Sequence, residues 1–179
     1  MRILLMKRLL PTTLIAVFLT VCSAMVGAAE EPSPNEVASR FYRAYLKLKI
    51  DGLPNDAQYK VIAPLLSSDL RRLIQIARRK QAKFIAEHPD EKPPWIEGAM
   101  FSSLFEGAHS FRLGPAATRG NRARVPVHLE YHEGKDRTHW TDILVLVRSE
   151  DGWRIWDILL KGDWQFKMGG SLRQILQAE

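Results

Sequence analysis

The chain has 179 residues, with 26 lysines and arginines against 20 carboxylates and a single cysteine. That length suits one domain, and one cysteine excludes an internal disulfide or a cysteine-built metal site. The formal net charge of +6 invites a nucleic-acid partner, an invitation that the N-terminus weakens.

Arg2, Lys7 and Arg8 precede an almost wholly apolar run from Leu9 to Val21. Small residues follow at Val26-Gly27-Ala28-Ala29, ahead of Glu30-Glu31-Pro32. Positive start, apolar middle and small-residue end are the order of a secretory signal peptide. The run is too short for a membrane span, which needs about 20 residues. Residues 1–29 are therefore expected to be a cleaved signal, and 30–179 a single domain working in the periplasm. Val21 is too large for the small residue that a lipid-attachment signal wants before its cysteine. Cys22 thus reads as an ordinary apolar residue of the signal rather than a lipoprotein anchor. Cleavage after Ala29 leaves 150 of the 179 residues, no cysteine, and +3 once three cations leave the +6. No nucleic-acid partner is expected, nor a membrane-spanning segment in the mature chain.

Ser33-Pro34-Asn35-Glu36 has the form of a capping box with proline in the first turn. Val37, Phe41, Tyr45 and Leu48 continue at helical spacing, up to Gly52 and Pro54. A short piece from Asp56 to Leu66 is broken at Pro64. Ser67 or Ser68 caps a long helix that stops before Pro89. Its expected buried stripe is Leu70, Leu73, Ile74, Ala77, Phe84 and Ile85, flanked by Arg71, Arg72, Arg78, Arg79, Lys80 and Lys83. After Trp95, the spacing of Met100, Phe101, Leu104 and Phe105 suggests one more helical segment, ended at Gly107.

The period then changes. Phe111 to Leu113 begins a strand, and Arg124 to Tyr131 alternates cleanly, with Val125, Val127, Leu129 and Tyr131 on one face. Pro126 has no amide hydrogen, which predicts an edge strand or a bulge. His139 to Arg148 is a long strand, apolar on both faces from Ile143 to Val147, and Trp153 to Leu160 is a strand apolar on both sides, the two joined by Ser149-Glu150-Asp151-Gly152. A sheet of that kind is covered on both sides, so a homodimer through the sheet is expected unless the chain's own tail covers the second face. Gly170-Ser171 caps a final short helix. Helices first and an antiparallel meander second make an α+β fold.

The ending Gly152-Trp153-Arg154-Ile155-Trp156-Asp157-Ile158 resembles that of the nuclear-transport-factor-like (ketosteroid-isomerase-like) cone fold. Trp95-Ile96-Glu97-Gly98, Leu104-Phe105-Glu106-Gly107, Trp140-Thr141-Asp142 and Gly170-Ser171-Leu172 resemble an uncharacterised branch of small exported bacterial proteins. The likeness runs from Val37 to Leu176. It implies N-terminal helices packed on a strongly curved antiparallel sheet, with a pocket between them. It implies no single reaction, because one fold hosts many functions.

Enzymes of that fold keep an ionisable group facing the pocket. The pool here is Glu97, Glu106, His109, His128, Tyr131, Asp142 and Asp157. Asp142 and Asp157 stand inside apolar strands, so each is paired, hydrogen-bonded or raised in pKa. The bland reading makes them structural, with Trp140 or Trp156 donating an indole N–H. Whether they share a face depends on a register that one residue of slip reverses. His128 and His132 lie about 13 Å apart on an extended strand at ~3.3 Å per residue, which does not suit one metal ion, and no cofactor motif is present. The Ser67–Ser68 and Ser102–Ser103 pairs read as caps and helix-surface hydroxyls.

The resulting expectation is a non-catalytic exported domain that binds a small apolar ligand or a protein partner. Trp95, Phe105, Glu106 and Trp140 are the expected pocket residues. The alternatives are an isomerase- or dehydratase-type enzyme using Asp142 or Asp157 as base, and a periplasmic lipid carrier.

Overall fold

A computed structural model describes residues 30–164 and 170–178. The expected signal segment, with Cys22, lies outside them. Three helices come first: α1 (Pro34–Leu48), α2 (Asp56–Ile62) and α3 (Ser68–Glu87), with a 3-10 turn at Ala63–Leu65. Strands β1 (Ser110–Leu113), β2 (Ala117–Arg119), β3 (Arg122–Glu133), β4 (Asp136–Ser149), β5 (Gly152–Leu160) and β6 (Gly170–Ser171) follow, and α4 (Leu172–Gln177) ends the described chain. The fold is α+β, with one curled, open antiparallel sheet in the order β1-β3-β4-β5-β6 and β2 also on β3.

The helix starts follow from their caps. Ser33 and Glu36 form the reciprocal capping box of α1, and Asn55 with Gln58 does the same for α2. Ser67 Oγ accepts the Leu70 N–H at the start of α3. The same Ser67 donates its backbone N–H to Ile155 O at 2.8 Å, which fastens the head of α3 to β5. Leu70, Leu73, Ile74 and Ala77 are the buried stripe of α3. The stripe is shorter than the sequence suggests: Ile85 is 47% exposed, and Phe84 is only half-buried and stacks on His88.

Odd-numbered residues of β3 (Ala123, Val125, Val127, Leu129) and even-numbered residues of β4 (Trp140, Asp142, Leu144, Leu146) face the helices. The interior is filled by interlocked aromatic rings. Phe41 meets Tyr42 at 5.4 Å and Phe101 at 5.3 Å, and Tyr45 meets Phe101 at 5.8 Å, all edge to face.

One local expectation is narrowed to its second alternative, an irregularity beside Pro126, and one is corrected. Pro126 is not on an edge strand, since β3 pairs with β4 on one side and with β1 and β2 on the other. Pro126 O accepts the Gly114 N–H at 2.8 Å. The nitrogen that lacks a hydrogen therefore faces residues 114–116, the gap between β1 and β2, where no ladder bond is lost. The segment after Trp95 is a chain of turns rather than a helix. Gly98 (φ 90°) and Gly107 (φ 83°) adopt backbone angles outside the helical range, and Ser103 is held by a carboxylate from β4, described next.

Candidate functional site

Asp142 is fully buried on the inner face of β4. Its Oδ1 accepts the Lys161 N–H at 2.8 Å and the Ser103 hydroxyl. Its Oδ2 accepts the Ser103 N–H at 2.9 Å and the Trp140 indole N–H at 3.1 Å. Ser103 Oγ in turn accepts the Gly162 N–H at 2.9 Å. A carboxylate offers about four lone-pair directions, and all four are taken. One side chain thus ties the 95–107 turns, β4 and the segment after β5 together. Charge-assisted bonds of this kind make up for the water that a buried carboxylate loses.

Asp157 does not share that face. A bulge between Val145 and Leu146 shifts the β4–β5 register, and Asp157 pairs with Val145, on the opposite side of the sheet from Asp142. Asp157 Oδ1 accepts the N–H of Ile158 at 2.8 Å and of Arg173 at 3.0 Å. Arg173 is in the first turn of α4, whose N-cap is Ser171, so Asp157 acts as an additional cap. Trp140 supplies the indole donor for Asp142, whereas Trp156 carries the guanidiniums of Arg122 at 4.8 Å and Arg173 at 4.4 Å over its ring.

Tyr42 and Tyr45 lie beside this buried charge. Burial pushes both phenols well up, and the negative charge of Asp142 pushes further in the same direction. The Tyr42 hydroxyl is buried without a hydrogen-bond partner among the described residues.

The four expected pocket residues do not converge. Phe105 and Glu106 border a surface basin of about 590 Å³ with Tyr45, Lys49, Asp51 and His109. Trp140 contributes to a separate shallow groove of about 490 Å³ with Arg112, His128, Glu130 and Thr141. Trp95 borders neither; its indole donates to Ile175 O at 3.1 Å, docking α4. The other titratable candidates are engaged locally. Glu97 pairs with Lys92. His128 Nδ1 lies 2.9 Å from Thr141 Oγ1. His109 stacks on Tyr131 at 4.7 Å and on His132 at 5.7 Å. Glu130 is the centre of a surface cluster with Arg137 (2.8 Å), His132 (3.6 Å) and His139 (3.9 Å). The Arg137 hydrogen bond, first of all, holds its carboxyl below the usual range. Among the described residues, no group of three or more metal-ligating side chains converges.

Sequence reasoning missed Ser103, which it placed on a helix surface, and the role of Trp156. The basic residues of α3 stand out in the sequence as the flank of a buried stripe, whereas those of the sheet do not. Arg122 and Arg124 alternate with the apolar face of β3, and Arg154 precedes Trp156 by two residues, so one outer face collects them. That alternation was the available signal.

No family model matches the chain, and no curated protein does. Among solved structures, it is similar to a SEC-C motif containing protein from Rhodopseudomonas palustris. The identity is 12% and the TM-score 0.43, over 73% of this chain and 80% of that one. It is also similar to a chain of the type VI effector–immunity complex Tae3–Tai3 from Ralstonia pickettii. There the identity is 21% and the TM-score 0.41, over 74% of this chain and 98% of that one. Likeness at these levels leaves the functional reading to the chain's own geometry.

Proposed function

We propose that this chain is a non-catalytic exported domain of the cone-fold type that binds a protein partner. The observation that carries the reading is the state of Asp142: all four of its lone-pair directions receive protein donors. A general base needs a free lone pair within reach of substrate. Asp157 has a structural use of its own: its Oδ1 accepts two backbone N–H groups, one of them in the first turn of α4.

Choice of a protein over a small apolar ligand rests on the interior. The aromatic cluster of Phe41, Tyr42, Tyr45 and Phe101 occupies the space between helices and sheet, where an apolar guest or a lipid tail would lie. The basin beside Phe105 is open and carries Lys49, Asp51, Glu106 and His109 on its walls, a poor match for a greasy molecule. Export rests on the order of charge, apolar run and small residues over 1–29.

Native mass spectrometry of the protein purified from its own cell envelope tests this. The expected spectrum shows a chain beginning after Ala29, with a second polypeptide bound and no small molecule retained. A phospholipid or other small apolar molecule retained in stoichiometric amount overturns it in favour of a carrier.

A further inference from the structure

The outer face of the sheet, opposite the one that packs on α1 and α3 and bordered by the first turn of α4, collects arginines. Arg122 stands opposite Val147, and Val147 opposite Arg154; Arg124 stands opposite Val145, and Arg119 of β2 opposite Arg122. Directly paired residues share a face, so these side chains emerge together. Neighbouring strands are about 4.8 Å apart, which puts the backbones of Arg122 and Arg154 within about 10 Å. Arg173 joins them from α4, over the ring of Trp156. None of Arg119, Arg122, Arg124, Arg154 and Arg173 forms an ion pair with a carboxylate among the described residues. Asp157, which pairs with Val145 on this face, is buried, and its Oδ1 accepts two backbone N–H groups. Val147, half-buried, stands between Arg122 and Arg154, the buried Val145 stands beside Arg124, and the half-buried Ile143 and Leu159 continue this face in the next row, between Pro126 and Ser171.

We propose that this face is the docking surface, and that its occupant is an acidic protein segment carrying aliphatic side chains between its carboxylates. This rests on the protein-binding reading above. The guanidinium fork matches a carboxylate at two points, and the half-buried aliphatics give such a segment apolar contact to bury. A second copy of this chain is disfavoured, because face-to-face apposition sets arginine against arginine. Single-stranded nucleic acid is disfavoured, because the stacking platform it needs is occupied: two guanidiniums already lie over Trp156. A lipid surface is disfavoured, because the well-exposed large apolar side chains, Val61, Ile85, Ile96 and Phe105, lie away from this face.

The test is a binding titration with a short fluorescein-labelled peptide in which Glu and Asp alternate with Leu and Ser. The mature chain is compared with two variants, each first checked for an unchanged melting temperature. One is Arg122→Glu with Arg124→Glu on β3. The other is Arg71→Glu with Arg72→Glu, the same charge change on α3. The sheet variant is expected to weaken binding by about tenfold or more, and the α3 variant to leave it nearly unchanged. Equal loss in both variants, or no binding to the mature chain, overturns the proposal. Phosphatidylglycerol vesicles or an oligodeoxynucleotide binding through Arg122 and Arg124 where the peptide does not also overturns it, as does a dimer that the sheet variant dissolves. Should the peptide fail while native mass spectrometry finds a bound polypeptide, this face is wrong and the protein-binding reading stands. Should both fail, that reading falls with it.

Discussion

Asp142 accepts both the backbone N–H and the hydroxyl of Ser103, a residue 39 positions earlier in the chain. This pairing, with the donors from Trp140 and Lys161, fills the lone-pair directions of one of the two buried carboxylates that the sequence offers. It also explains why the 95–107 segment turns where its apolar spacing suggests a helix. Asp142→Ala leaves the N–H groups of Ser103 and Lys161 and the indole of Trp140 without their acceptor. Each orphaned buried donor costs about 1–3 kcal/mol, so equilibrium unfolding in urea is expected to show a loss on the order of 3 kcal/mol or more. Asp142→Asn keeps the shape but turns an amino group toward donors, and is expected to fall between. A loss in Asp142→Ala below about 1 kcal/mol removes the structural role assigned to it.

Tyr42 illustrates the opposite case. Its hydroxyl is buried without a partner among the described residues, so Tyr42→Phe deletes an unsatisfied group while keeping the ring that packs on Phe41. Stability is expected to stay level or rise by about 1 kcal/mol. A clear loss in the same urea experiment shows that the hydroxyl makes a bond of value in solution.

The raised phenols set the alkaline limit. In a folded chain, Tyr42 and Tyr45 resist ionisation because of burial first and Asp142 second. Unfolding frees them to ionise near pH ~10. Their contribution is therefore complete below that pH and lost progressively above it, toward the raised folded values. Ultraviolet absorbance of phenolate, followed with circular dichroism, is expected to show Tyr42 and Tyr45 ionising only together with unfolding. Ionisation of both in a fully folded chain contradicts their placement.

Gly52 locks the start of the 95–107 turns against α1's exit. Its φ is +64°, and an added Cβ lies 2.5 Å from Trp95 O and 2.8 Å from the Ile96 carbonyl carbon. Its own N–H donates to Gly98 O at 2.9 Å. Gly52→Ala combines a left-handed strain with a backbone clash and is expected to cost at least about 2 kcal/mol, read as a lowered melting temperature. Gly134→Ala, at φ +58° with open space around it, carries the strain alone and is expected to cost about half as much.

What was legible in the sequence is what local rules govern. The capping box at Ser33 and Glu36, the stop before Pro89 and the alternation of β3 each depend on residues close in sequence. The segment containing Met100, Phe101, Leu104 and Phe105 was not legible, because its conformation depends on Asp142, which arrives from another strand. Pro126 left edge and bulge both open for a related reason. A proline's demand is for a missing ladder bond, and a gap between two short neighbours meets it as well as an edge does. The pocket residues scattered because aromatic content marks burial before it marks a site. Trp95 went to α4, Trp140 to Asp142 and Phe105 to a rim. The outer-face arginines were visible as an alternation but acquired meaning only when the β2–β3–β4–β5 register set them side by side.

The most direct test is an amide NMR titration of ¹⁵N-labelled residues 30–179 with the acidic peptide. Resonances of Arg122, Arg124, Val147, Arg154 and the Trp156 indole are expected to shift together, while those of Lys49, Asp51, Glu106 and His109 stay in place. Shifts concentrated around that basin, with the sheet face unmoved, contradict the account and return the site to the pocket beside Phe105.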